Sequence, residues 1–260
     1  MKTSRRTFVK ALIGVGAAAA APPVARLAAT WAGPGPGHAA TARRTRRWVM
    51  VIDLAACDGC KKCTEACRRE HFVPFEQEWI KVLEVGNNEY EHHNFPRPCM
   101  QCENAPCVKV CPVGATYHNS EGIVLIDHNT CIGCRFCMAA CPYGVRFFNW
   151  TEPKHSPQEQ FVQYSPEFPV PHRKGTVEKC MLCAHRVTTG RLPACVDACA
   201  AAEHFAIYFG DANENLVTNG QEVVKLTDLL ARGRGYRYKE ELGTRPRVYY
   251  LLPKRQAATP

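Results

Sequence analysis

The 260-residue chain has no glycine-rich nucleotide loop and no C-x-x-C-H sequence, so neither a nucleotide cofactor nor covalently attached haem is predicted. After residue 23 no stretch is long and apolar enough to cross a bilayer, which takes about 20 residues. No acid–base constellation marks a substrate pocket. Acidic residues are missing from positions 1–42, where Lys2, Arg5, Arg6, Lys10 and Arg26 supply five of the nine net positive charges. Arg43, Arg44, Arg46 and Arg47 account for the other four, and the chain from residue 48 onward is balanced. The excess charge therefore lies at one end and predicts no nucleic-acid surface. That arginine cluster reads as a contact for anionic lipid headgroups or, at least as well, as a solvated arm.

Cysteine is absent outside four short blocks, and those blocks hold all sixteen. Block three reads Cys131-Ile-Gly-Cys134-Arg-Phe-Cys137-Met-Ala-Ala-Cys141-Pro142. This is the C-x2-C-x2-C-x3-C-P run of bacterial two-cluster ferredoxins. Three thiolates on one tight loop reach different irons of a cubane, and the fourth, a helical turn on, points to a neighbouring cluster. Gly133 lets the loop turn closely, and Pro142 turns the chain away. Block one is Cys57, Cys60, Cys63 and Cys67, with Arg68 in place of the proline. Block two is Cys99, Cys102, Cys107 and Cys111, followed by Pro112. Block four is Cys180, Cys183, Cys195 and Cys199, with a long insert after its second cysteine and Ala200 where the proline stands elsewhere. At four cysteines per cubane, sixteen make four [4Fe–4S] clusters with none left over. Zinc ribbons favour isolated C-x2-C pairs rather than these triplets with a fourth cysteine. A disulfide framework is unnecessary for a chain of this length, and the spacing sets the thiols too close for easy pairing.

The first residues carry the pattern of an export signal: Ser4-Arg5-Arg6-Thr-Phe8-Val9-Lys10, an apolar run from Ala11 to Ala21, then Pro22-Pro23. The paired arginines, Phe8 and Lys10 resemble the twin-arginine signal, a route suited to a protein that crosses a membrane already folded around its clusters. Cleavage is expected after Ala40 or Ala42, or the segment stays as a tether.

Strands are predicted at Trp48–Asp53, Ile80–Val85, Ile123–Asp127, Arg146–Trp150, Ala206–Asp211 and Arg247–Leu252, and helices at Lys61–His71 and Gln221–Arg232. Residues 151–175, with five prolines, read as an ordered irregular excursion. The fold class is α+β. A repeat is also visible: block one maps onto block three at an offset of 74, with Gly59 on Gly133, and the first two cysteines of block two map onto block four at 81.

Together with Cys107-Val-Lys-Val-Cys111-Pro-Val-Gly-Ala-Thr116, Cys137-Met-Ala-Ala-Cys141-Pro-Tyr-Gly144, Val177-Glu-Lys-Cys180 and Leu242-Gly-Thr-Arg-Pro-Arg-Val-Tyr-Tyr250, the blocks resemble the four-cluster iron–sulfur subunits of dimethyl sulfoxide reductase-type respiratory complexes. The start is similar to that of exported members, those of tetrathionate reductase, formate-linked nitrite reduction and the sulfite-reduction-associated membrane complex. The resemblance covers roughly residues 48–252 and departs most at Ala200 and Ala201–Phe205.

The repeat by itself suggests that neighbours pair along the chain, block one with two and three with four, whereas the resemblance implies that block one pairs with block four, and block two with block three. One cluster would take Cys57, Cys60, Cys63 and Cys199, and its neighbour Cys180, Cys183, Cys195 and Cys67. The third would take Cys99, Cys102, Cys107 and Cys141, and the fourth Cys131, Cys134, Cys137 and Cys111. It implies two bacterial-ferredoxin-like two-cluster modules behind the signal at 1–42. One spans 43–96 and 149–260, and the other spans 97–148. It further implies an electron-transfer subunit with no substrate pocket, serving anaerobic respiration on the periplasmic side of the cytoplasmic membrane. The partners implied are an integral membrane quinone-reactive subunit and either a molybdopterin catalytic subunit or a multihaem cytochrome. A self-contained iron–sulfur reductase and a zinc-stabilised scaffold are the competing readings. Lys61, Lys62, Arg135, Lys179 and His185 lie beside ligands and are expected to favour the reduced clusters or to be ordinary solvated charges. His92, His93 and His118 read as surface residues rather than ligands.

Overall fold

A computed structural model describes residues 46–86 and 92–253. The signal at 1–42, its cleavage sites, Arg43 and Arg44 lie outside the described residues. The elements run β1 (Trp48–Asp53), α1 (Lys62–His71), β2 (Lys81–Val85), β3 (His93–Arg97), α2 (Pro106–Lys109), β4 (Thr116–His118), β5 (Val124–Ile126), α3 (Phe136–Ala139) and β6 (Phe147–Phe148). They continue through β7 (Val177–Glu178), α4 (Ala184–Val187), α5 (Ala194–Ala201), β8 (Ile207–Asp211), β9 (Leu216–Thr218), β10 (Val223–Lys225), α6 (Leu226–Arg232) and β11 (Val248–Leu251). No helix of the described residues is long and apolar enough to cross a membrane.

One five-stranded sheet, ordered β10-β9-β8-β1-β11, ties the two ends of the body together. β1 is parallel to β11, with Met50 opposite Val248, and antiparallel to β8, with Met50 opposite Phe209. Side chains alternate across a strand, and here both faces are covered. Met50 and Ile52 join the main core with the cysteines, while Val49 and Val51 join a smaller one with Val217, Leu226 and Leu229. Three two-stranded ribbons, β2–β3, β4–β5 and β6–β7, frame the cysteine blocks. Each is too short to stand alone and depends on the core it covers.

The structure corrects the helix expected over Gln221–Arg232. Its first part is β10, paired with β9 so that Val223 faces Thr218, and the helix begins only at Leu226. Asn219-Gly220 is the reason. Gly220 has φ +90°, and the Asn219 side-chain oxygen accepts from the N–H groups of Gln221 and Glu222, closing a hairpin before the apolar spacing turns helical. Residues 151–175 form the irregular excursion expected, with a 3-10 helix at Pro157–Phe161 capped by Ser156. Of the basic arm, Arg47 is held rather than free: its Nε donates to Glu103 at 2.5 Å and its backbone N–H to Asp211 at 2.9 Å.

Candidate metal centres

Each cysteine block bends through a left-handed residue just before its second cysteine. Gly59 (φ +82°) precedes Cys60, Gln101 (φ +47°) precedes Cys102, Gly133 (φ +69°) precedes Cys134 and Leu182 (φ +53°) precedes Cys183. Such a bend turns successive N–H groups inward, and the Leu182 N–H lies 3.4 Å from the Cys180 sulfur. Lys61 (φ +60°) and Arg135 (φ +63°) then take the same conformation and open helices that carry the third cysteine.

The helices divide the cysteines between neighbouring centres. On α1, Cys63 and Cys67 are four residues apart, one turn along a single face. Packed against it, α5 carries Cys195 and Cys199 in the same relation. Cys63 meets Cys57, Cys60 and Cys199 around one cavity, while Cys67 meets Cys180, Cys183 and Cys195 around the next. The first cysteine of each helix lies with the second of the other, so the two helices run in opposite senses. Ala66, Ala194 and Ala198 lie between them, small enough for close approach. Shorter α2 and α3 repeat the exchange. Cys107 joins Cys99, Cys102 and Cys141, and Cys137 joins Cys111, Cys131 and Cys134.

Each of the four cavities encloses 310–330 Å³ of atom-free space, mouth included, and each is ringed by four thiols. All sixteen thiols are free of disulfides. Near-equal volume and identical donor sets fit one kind of occupant four times over, and four soft thiolates suit an iron–sulfur cubane. The departure at Ala200 is accommodated: α5 runs on through it, and residues 202–205 loop round so that the Ala206 N–H lies 3.2 Å from the Cys199 sulfur.

Burial and mutual repulsion favour the protonated form of the most deeply placed thiols, Cys63, Cys67, Cys102 and Cys183 among them. Burial, then proximity to Cys57, pushes Cys63 up to about 12. Burial, then Cys180, Cys183 and Cys195, raises Cys67 well above the ordinary value. Cys102 and Cys183 are likewise pushed up to about 12, first by burial and then by Cys99 and Cys180 respectively. Metal coordination reverses this outright, because the cation stabilises the thiolates directly.

Three residues near the sulfurs were not singled out from the sequence. His71 is buried, with its Nε2 3.1 Å from the Cys183 sulfur, and burial followed by the charge of His185 lowers it to about 3, so the ring is neutral. Gln101 ties two blocks together: its Nε2 donates to the Cys180 carbonyl at 2.9 Å, and its Oε1 accepts from the Val124 N–H at 2.9 Å. Arg146 is buried beside the Cys99 cavity, and its place five residues after Cys141 is the one clue to it. His118, expected at the surface, is half-buried, its Nε2 3.0 Å from the Cys102 carbonyl.

Comparison with known proteins agrees with this chemistry. Two family profiles, each described as a 4Fe-4S dicluster domain, match the chain, one over residues 90–157 and 166–212 and the other over residues 56–115. A selenate reductase subunit from Mesobacillus selenatarsenatis is 43% identical over 221 residues, covering 79% of this chain and 72% of that protein. The menaquinone reductase iron-sulfur cluster-binding subunit of Nitratidesulfovibrio vulgaris is 38% identical, covering 79% and 88%. A tetrathionate reductase subunit from Salmonella typhimurium is 33% identical, covering 79% and 72%.

Proposed function

The chain belongs to the family of 4Fe-4S dicluster iron–sulfur subunits of dimethyl sulfoxide reductase-type complexes, and from that premise we propose the route its electrons take. It is an electron-transfer subunit that holds four [4Fe–4S] clusters. It links a quinone-reactive integral membrane subunit to a molybdopterin or multihaem cytochrome partner on the periplasmic side. The observation that carries this is the convergence of sixteen thiols into four sets of four. A bound cluster supplies a one-electron site whose potential its surroundings set.

The ligand sets follow the cavities: Cys57, Cys60, Cys63 and Cys199; Cys67, Cys180, Cys183 and Cys195; Cys99, Cys102, Cys107 and Cys141; Cys111, Cys131, Cys134 and Cys137. The chain then forms two two-cluster modules, residues 43–96 with 149–260 and residues 97–148. The exchange of cysteines between α1 and α5, and between the ends of α2 and α3, supports this division. The relatives named for selenate, menaquinone and tetrathionate reductases support membership of a multi-subunit complex.

Arg5-Arg6 supports export of the folded protein by the twin-arginine route. Changing both to lysine should leave a loaded protein in the cytoplasm, whereas a normal periplasmic level would rule that route out. Mild detergent extraction should recover the chain with a membrane subunit and with molybdenum or haem. A chain that comes out alone, and reduces a small oxidant with quinol unaided, would favour the self-contained reductase.

A further inference from the structure

The structure separates Lys61, Lys62, Arg135, Lys179 and His185, the five residues expected from the sequence to act on the clusters. Lys61 and Lys62 are exposed. Arg135 is exposed and lies over the Trp150 ring, 4.5 Å from its centroid. His185 faces Glu70 at 2.8 Å. Lys179 alone is sealed from solvent, with 0% exposure. Its Nζ donates to the Val124 carbonyl and, at 2.8 Å, to the Cys180 carbonyl, and lies 3.9 Å from the Met181 sulfur. Val124 borders the Cys99 cavity, and Cys180 belongs to the set around Cys67.

Arg146 takes the corresponding place one step along. It lines the Cys99 cavity at 5% exposure, and its Nη1 lies 3.4 Å from Thr116 Oγ1, which borders the Cys111 cavity. Its Nη2 makes no hydrogen bond among the described residues. Neither cation has a carboxylate within ion-pair reach among the described residues, whereas the third buried one, Arg247, has Glu103 at 3.9 Å.

A buried cation without a counter-charge is among the most destabilising features a fold can carry. The negative charge available to Lys179 and Arg146 is that of thiolate-bound clusters. We propose that these two side chains are shared counter-ions: Lys179 for the clusters of the Cys67 and Cys99 sets, and Arg146 for those of the Cys99 and Cys111 sets. Reduction adds an electron, so a fixed positive charge between two clusters raises both potentials. Electron occupancy is thereby biased toward the Cys99-set cluster, which both cations border. Arg146 lies close enough to interact with Cys107 of the Cys99 set and with Cys137 of the Cys111 set, and Lys179 with Cys107 and with Cys180 of the Cys67 set.

This inference rests on the ligand sets proposed above. The test is a redox titration of the anaerobic holoprotein followed by electron paramagnetic resonance, with iron content measured alongside. Lys179→Met should make the clusters of the Cys67 and Cys99 sets at least tenfold harder to reduce, about 59 mV per one-electron couple. Arg146→Met should do the same to those of the Cys99 and Cys111 sets, so the Cys99-set cluster moves in both variants. Lys179→Arg should restore the wild-type potentials. If a variant assembles incompletely, selective loss of its two named clusters supports the sharing, and loss of the Cys57-set cluster with them overturns it. Full iron with unchanged potentials, or equal shifts in all four clusters, also overturns it. Wrong ligand sets would show separately, as Cys67→Ala abolishing the signal of the Cys99 set while that of the Cys67 set survives.

Discussion

At the scale of single residues, the left-handed position in each loop is where sequence and structure agree least evenly. Gly59 and Gly133 announce it, because glycine takes positive φ without cost. Gln101 and Leu182 hold the same conformation with a side chain, about 1–2 kcal/mol less favourable each, and nothing in their residue type shows it. At Gly133 a methyl group would lie 2.3 Å from the Gly175 carbonyl oxygen. Gly133→Ala should therefore cost the Cys111-set cluster, with iron falling from about sixteen to about twelve atoms per chain, at four per cubane. Retention of all the iron would contradict this. The buried histidines make a second prediction. Burial, with Glu178 opposing it, lowers His128 to about 4, and His71 stands at about 3. Unfolded histidine takes its proton near 6.5. Between those values the unfolded chain binds more protons, so stability falls as pH drops from about 6.5 towards 4. His172 acts with the opposite sign: the Glu178 hydrogen bond raises it against burial, so its stabilisation is full below about 6.5 and is lost as pH rises past its folded value. The urea midpoint of the holoprotein should drop between pH 6.5 and 5, and His128→Asn should drop less. A wild-type midpoint that rises on acidification would refute the assignment.

At the scale of elements, the strands were the most legible part, because short runs of β-branched, aromatic and other apolar residues such as Val49–Ile52 and Val248–Leu251 alternate between two faces. The helix expected from Gln221 starts only at Leu226, because an Asn-Gly turn and two valines stand ahead of the helical spacing and the turn decides the first part. Which helix meets which was not legible from periodicity, since α1 and α5 lie more than a hundred residues apart; the family resemblance supplied that grouping. Two predictions test it. Cys67→Ala should damage the cluster held by Cys180, Cys183 and Cys195 and leave Cys57, Cys60 and Cys63 with their fourth partner, Cys199. Loss of the Cys99-set signal instead would mean that neighbouring blocks pair along the chain. Ala66 lies at the contact between the two helices and is 6% exposed. Ala66→Leu should overpack that contact by about 1–3 kcal/mol. It should loosen the clusters of the Cys57 and Cys67 sets together, while the other two keep their spectra. Uniform weakening of all four would deny the helix pair its separate role.

At the scale of the whole molecule, the cavities take the place of a conventional hydrophobic centre. Most of the sixteen cysteines are buried, and the main core consists of apolar side chains packed round them, from Met50 and Ile52 on the sheet to Ile126 and Tyr250. The smaller core on the other face of the sheet holds seven buried side chains, among them Val49, Tyr208 and Leu229. A layer that small does not meet the cost of ordering its strands, about 1.5 kcal/mol per residue, without a second packed face. That second face is the cluster side. Once iron is removed, no bond holds the crowded thiols together, burial keeps Cys67 protonated, and Lys179 and Arg146 remain buried without counter-charge. Metal removal should therefore unfold the sheet along with the centres. Chelation under anaerobic, reducing conditions should abolish slow hydrogen exchange in β1, β8 and β11, and iron with sulfide should restore it in a single cooperative step. Persistent protection of those strands in iron-free protein would show that the sheet stands on its own core. The clusters would then be passengers in a preformed fold, and the buried cations would need a partner other than the clusters.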